Sequence, residues 1–155
     1  MKTRMKMLTV AALFAAAVVC FAATDSFMGT WKLNEAKSKF AAGATKNSTV
    51  VYSADGDNVK VTVDGMTGDG KAIHSEWTGK FDGKDYPVTG DATNDSRSYK
   101  RVNGNTMSMT LKKAGKVIGT GKLVVSSDGK TRTVTTSTTD AMGKQASSTA
   151  VYDKQ

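Results

Sequence analysis

The chain has 155 residues, with 22 Lys and Arg against 14 Asp and Glu, a formal net charge of +8, one histidine and one cysteine. So few His and Cys exclude a zinc centre built from three or four of them, and a single cysteine excludes an internal disulfide. The length is that of one domain able to bury a core without staples.

Met1 to Ala23 does not read as part of that domain. Lys2, Arg4 and Lys6 precede an apolar run from Met7 to Val19, and small residues follow at Ala22 and Ala23. This is the three-part pattern of a secretory signal peptide. The apolar run of 13 residues is shorter than the roughly 20 a helix needs to cross a bilayer. Cleavage is expected after Ala22 or Ala23. Cys20 is a poor site for lipid attachment, because Val19 stands where a small residue is wanted. The expected product is one exported domain, periplasmic or secreted, over 24–155. Loss of Lys2, Arg4 and Lys6 leaves 19 basic against 14 acidic side chains, a net charge of about +5, and no cysteine.

The expected domain reads as β almost throughout. Short Gly-bearing turns recur at 54–58, 64–71, 82–84, 103–105, 114–116, 128–130 and 142–144, several of them Asp-Gly or Asn-Gly. Such turns supply the positive φ of tight hairpins. Between them lie alternating runs. Val59, Val61 and Val63 share a face, as do Ile73, Trp77 and Phe81, and Met107, Met109 and Leu111. Ten strands are expected, over 27–33, 48–54, 58–65, 72–81, 85–89, 96–102, 105–113, 116–126, 131–139 and 145–153.

One short helix is expected after strand one. Asn34 is a good N-cap, Glu35 suits the positive end of the helix dipole, Lys37 and Lys39 suit the negative end, and Gly43 can stop it. Every other connection is hairpin-like, and no helix is available to join parallel strands. A meander this long removes its exposed edges by closing on itself. The expected fold class is all-β, an antiparallel up-and-down barrel of about 8–10 strands. A β-sandwich is the rival, disfavoured by the lack of a long crossover. The lone proline, Pro87, falls in the shortest strand, where a missing N–H is tolerated. An outer-membrane barrel is disfavoured by the Lys, Asp, Glu and Thr opposite the apolar positions and by the lack of aromatic girdles.

The opening of strand one, Phe27-Met28-Gly29-Thr30-Trp31-Lys32-Leu33, resembles the Gly-x-Trp start of the calycins, the lipocalins and fatty-acid-binding proteins. The ending, Thr149-Ala150-Val151-Tyr152-Asp153-Lys154, is similar to the last strand of a fatty-acid-binding protein. The whole expected domain resembles exported lipocalin-like domains of bacteria. The resemblance implies that Gly29 lets the chain cross the closed end of a barrel and that Trp31 packs across its base. There are departures. Ala150 occupies the place of the arginine that holds the carboxylate in fatty-acid-binding proteins. Residues 34 to 46 have room for one short helix rather than a helix-turn-helix lid. Lipocalins usually set a basic side chain over the tryptophan, and Lys154 is the only basic residue past Tyr152.

Chemistry is sparse. His74 is expected on a polar face with Glu76, which could pair with it, but two ligands do not make a metal site. The many serines lack a histidine partner, so no enzyme, cofactor or metal is expected. Arg97, Tyr99 and Arg101 share a strand face. Outward, that face is a charged edge or a stacking platform; inward, the arginines could pair with an anionic headgroup. Residues 131–139, TRTVTTSTT, and 145–150, QASSTA, have few large apolar side chains, and small polar groups facing inward would leave a partly polar cavity.

The expected function is binding of a small, partly apolar or amphipathic ligand inside the barrel by a monomer that neither spans a membrane nor binds nucleic acid. The candidate ligand contacts are Trp31, Trp77, Phe81, Tyr99, Arg97, Arg101 and Tyr152. The alternative is a ligand-free structural or interaction module of the cell envelope. An internal cavity of about 300 Å³ or more separates the two.

Overall fold

The computed structural model describes residues 25–139 and 142–155; the expected signal peptide and Cys20 lie outside them. Ten strands follow in order: β1 (Gly29–Leu33), β2 (Lys46–Asp55), β3 (Asn58–Met66), β4 (Ala72–Gly79), β5 (Tyr86–Thr89), β6 (Ser96–Asn103), β7 (Thr106–Lys113), β8 (Lys116–Val125), β9 (Thr131–Thr139) and β10 (Gln145–Lys154). Each pairs antiparallel with its neighbours in sequence, and β10 returns to pair with β1, closing the barrel. The register that closes it sets Trp31 opposite Lys154 and Leu33 opposite Tyr152. Closure leaves no free sheet edge, which is how a ten-strand meander avoids pairing with another chain.

Alternation decides what faces inward. Val61 and Val63 are buried, as are Met107 and Met109 and, on β2, Val50 and Tyr52. Between them in sequence stand polar residues such as Lys60, Thr62 and Ser108, none of them buried. Most apolar side chains thus face the barrel interior and most polar ones coat it, the arrangement a strand's period of two imposes.

Gly29 has a φ of 103°, and a Cβ there would come within 3.2 Å of the Lys154 side chain. Only glycine adopts this turn without strain. It lets the chain swing from Phe27, fully buried at the closed end, into β1. Trp31 is also fully buried, and its Nε1 donates to the Phe27 carbonyl at 2.9 Å. Lys154 Nζ lies 5.1 Å from the Trp31 ring centre, so a basic side chain does stand over this tryptophan. The closed end therefore has the geometry that the Gly-x-Trp opening implies.

The expected helix after β1 is corrected. Its place holds a single 3-10 turn over Glu35–Lys37. Asn34 caps it as expected, accepting from the Lys37 amide at 3.2 Å, but the chain then leaves the helical path at Ser38. Lys39 pairs instead with Thr149 in two backbone hydrogen bonds of 2.7 Å. Ser38 Oγ donates to the Asn34 carbonyl and accepts from the Val151 amide. An isolated two-turn helix is marginal in water. Here the ladder of β10 offers the same backbone groups better partners, and residues 38–45 become a strap across the open end.

β5 is the thinnest part of the wall. It has four residues and contributes two registered pairs to β4 and two to β6. Pro87 lies in it, exposed, where a missing N–H is least costly.

A candidate ligand-binding cavity

Two inward positions on β8 carry no side chain. Gly119 stands in register between Leu111 of β7 and Thr138 of β9, and Gly121 between Met109 and Thr136. Neighbouring side chains close over these two rungs: a Cβ at Gly121 would meet Met109 Cε at 2.7 Å, and one at Gly119 would meet Thr138 Cγ2 at 3.0 Å. On β9 and β10 the inward residues above Val134 and Ala150 are Thr136, Thr138 and Ser148, which are small and polar. The result is a cavity of about 470 Å³ inside the barrel, within the size range of small-molecule sites.

The cavity changes character along its length. Near its floor lie Tyr52, Tyr152 and Arg132; Val50, Val63, Met109, Leu123 and Val134 make an apolar middle; Asn94, Thr136, Thr138 and Ser148 line the approach to the open end. Arg97 and Tyr99 border it from β6.

Arg132 is the least expected of these. Only 1 % of it is exposed, and its guanidinium carbon lies 5.1 Å from the Trp31 ring centre, 5.1 Å from Tyr52 and 4.6 Å from Tyr152. The three rings supply cation–π attraction. Its Nε and Nη1 have no hydrogen-bond partner, and among the described residues no carboxylate pairs with it. An uncompensated buried cation is costly, and loss of one partner from a buried pair costs about 3–5 kcal/mol. A guanidinium held in this state beside an open cavity is poised for an anion.

Arg97 is different. It is 7 % exposed, and Asp91 Oδ2 lies 3.6 Å from its Nη2, with Asn94 Oδ1 at 3.4 Å and the Tyr99 hydroxyl at 3.3 Å from Nη1. Only its Nε lacks a partner. Asp91 itself is anchored by the Thr93 amide at 2.8 Å and the Asn94 amide group at 2.5 Å, so the β5–β6 loop holds this counter-ion in place.

The phenols at the floor stay neutral. Burial pushes the Tyr52 hydroxyl well above the ordinary tyrosine range, with the neighbouring Tyr99 adding to the shift and Arg132 opposing it. Burial raises Tyr152 too, again against Arg132. Protonated phenols beside an arginine can donate to an anion rather than repel it.

Of the residues singled out from sequence, Arg97, Tyr99 and Tyr152 border the cavity. Trp31, Trp77 and Phe81 pack beneath it without bordering it. Trp77 lies stacked against Phe81 at 6.3 Å and edge-on to Tyr99 at 4.9 Å, and its Nε1 donates to the Arg97 carbonyl at 2.9 Å. Arg101 sits at the closed end, ion-paired with Asp25 and 5.3 Å from the rings of Phe27 and Phe81. Its face is inward, but it serves the base rather than the cavity. Sequence reasoning missed Arg132, Tyr52, Asp91 and Asn94. The signal for Arg132 was its step of two from Val134.

His74 is exposed, and its Nδ1 lies 2.6 Å from Asp64 Oδ1, directly across the β3–β4 ladder. Glu76 pairs not with His74 but with Lys60, at 2.8 Å. The bond from Lys60 holds the Glu76 carboxyl below its usual range. Among the described residues no three His, Cys, Asp or Glu cluster to hold a metal, and no helix is long and apolar enough to cross a membrane.

A second depression, about 430 Å³, lies outside the barrel between the strap and the β3–β4 hairpin. Phe40, Gly43 and Ala44 border both spaces.

No family model and no curated protein matches this chain. Among solved structures the barrel is similar to a redesigned β-barrel, mFAP1, bound to DFHBI, with 13 % identity, TM-score 0.46, and coverage of 83 % of this chain and 95 % of that one. It is similar to EF1p2_mFAP2b bound to DFHBI, with 10 % identity, TM-score 0.49, and coverage of 84 % and 94 %. It is similar to lobster apocrustacyanin A1, with 13 % identity, TM-score 0.44, and coverage of 86 % of this chain and 63 % of the lobster chain.

Proposed function

We propose that this barrel is an exported binding protein, without catalytic activity, for a small amphipathic anion. The observation that carries the reading is Arg132: buried, stacked among three aromatic rings, lacking a carboxylate partner among the described residues and facing a 470 Å³ cavity. The anionic group sits at the floor, paired with Arg132 and taking hydrogen bonds from Tyr52 and Tyr152. The apolar body lies against Val63, Met109 and Val134. Export rests on the N-terminal sequence pattern, and an intact mass matching 24–155 for protein from its native host is the check on it.

Calorimetric titration with dodecanoate and with dodecanol, which share a chain and differ in charge, tests the binding. Loss of a charged hydrogen bond of this kind is worth ~1.5–3 kcal/mol, so dodecanoate is expected to bind about ten- to a hundred-fold more tightly. Equal affinities would remove the anion from the reading. Binding of neither would favour a ligand-free envelope module.

A further inference from the structure

Resting on the anion reading, we infer that the preferred ligand is a monoanion with a neutral hydroxyl group at the end remote from its charge. Two independent features of the cavity carry this. The first is the inequality of its arginines. Arg132 has no carboxylate partner among the described residues, whereas Asp91, its side chain 12 % exposed, stands 3.6 Å from the buried Arg97. One cation is therefore free for the ligand and the other is already balanced. A second anionic group reaching Arg97 would meet Asp91 at close range in a poorly solvated site, where like charges repel strongly.

The second feature is the wall above the apolar middle. Thr136 and Ser148 are directly opposite each other in the β9–β10 ladder, both facing the cavity. Thr136 lies four residues up the strand from Arg132, about 13 Å at the rise of a β-strand. Ser148 Oγ accepts from the Ala41 amide at 3.0 Å, which leaves its proton free to donate inward. An alkyl end placed here would strip water from these groups and give nothing back, which penalises a plain chain. A hydroxyl group both donates to and accepts from them.

Three probes of one chain length separate the possibilities in wild-type protein: dodecanoate, 12-hydroxydodecanoate and dodecanedioate, each titrated calorimetrically. The hydroxylated monoanion is expected to bind about tenfold more tightly than dodecanoate, and the dianion more weakly than either. In the double variant Thr136→Val, Thr138→Val, which keeps side-chain shape and removes two hydroxyls, the preference for the hydroxylated probe is expected to vanish, with dodecanoate binding more tightly as the penalty on its alkyl end is removed. In Asp91→Asn the penalty on the dianion is expected to shrink. If dodecanoate binds as tightly as its hydroxylated analogue, or the dianion binds best, this inference is overturned and the anion reading stands. If none of the three binds, the anion reading itself fails and takes this one with it.

Discussion

Arg132 and Tyr152 face each other directly across the β9–β10 ladder, and the guanidinium carbon lies 4.6 Å from the phenol ring centre. The pair joins the packing of the closed end to the floor of the cavity, so its two roles can be separated by substitution. A buried charge without a partner is often replaced by an apolar group of similar size with no loss, or with a gain of about 1–4 kcal/mol. Arg132→Met is therefore expected to keep or raise the thermal midpoint while abolishing dodecanoate binding. A large drop in the midpoint would make Arg132 a structural group.

Trp31 gives the opposite result. It is fully buried between Arg132 and Lys154, each 5.1 Å from its ring, and its indole N–H is bonded to Phe27. Trp31→Ala is expected to cost ~3–5 kcal/mol in chemical denaturation, the range for truncating a large aromatic in a core. A midpoint that scarcely moves would mean that the base of the barrel is held by other contacts.

The tyrosines predict an alkaline limit. Tyr52 and Tyr152 have folded-state values raised above that of the unfolded chain, chiefly by burial. The folded state then keeps protons that the unfolded chain releases near pH 10, so stability is intact below about pH 10 and falls as pH climbs beyond it. Denaturation curves between pH 8 and about 11.5 are expected to show this decline, reduced in Tyr52→Phe. A flat profile would show that both phenols titrate as freely as in the unfolded chain.

Gly121 tests the β8 side of the cavity. A Cβ there would meet Met109 Cε at 2.7 Å, the far end of a flexible side chain, and the Thr135 carbonyl at 3.3 Å. Gly121→Val would push the Met109 side chain into the cavity, and valine suits a strand. Dodecanoate binding is expected to weaken about tenfold or more with the barrel still folded, by calorimetry and circular dichroism. Unchanged affinity would place the ligand away from β8.

The strands were legible because turn and alternation signals agreed. β7, expected over 105–113, is Thr106–Lys113, and β9 falls on 131–139 as expected. The inward face of β6 was one of two readings for Arg97, Tyr99 and Arg101, since their charge also suits a solvated edge. β9 hid its arginine for a different reason. TRTVTTSTT has a threonine or serine at most positions of both faces, so nothing but Val134 marks which side is buried, and Arg132 follows from it only by counting in twos. The missed counter-ion of Arg97 could not be seen at all, because Asp91 reaches it through a loop whose path depends on the Asn94 and Thr93 contacts. The helix after β1 failed on a competition no local signal records: the open backbone of β10 lay within reach of Lys39.

For a barrel that holds a guest, that competition would set how long the guest stays. The strap is tied to β10 by the two Lys39–Thr149 bonds, by the Val151 amide to Ser38 Oγ and by the Ala41 amide to Ser148 Oγ, while Phe40, Gly43 and Ala44 form the partition between the outer depression and the interior. Four hydrogen bonds are few enough to break together without unfolding the barrel, the kind of local opening that occurs far below the global unfolding free energy. Residence time would then follow the fraying of a short surface segment, while affinity follows Arg132 deep inside. Mild heating or low denaturant would shorten the stay of a bound molecule well before loosening its hold at equilibrium.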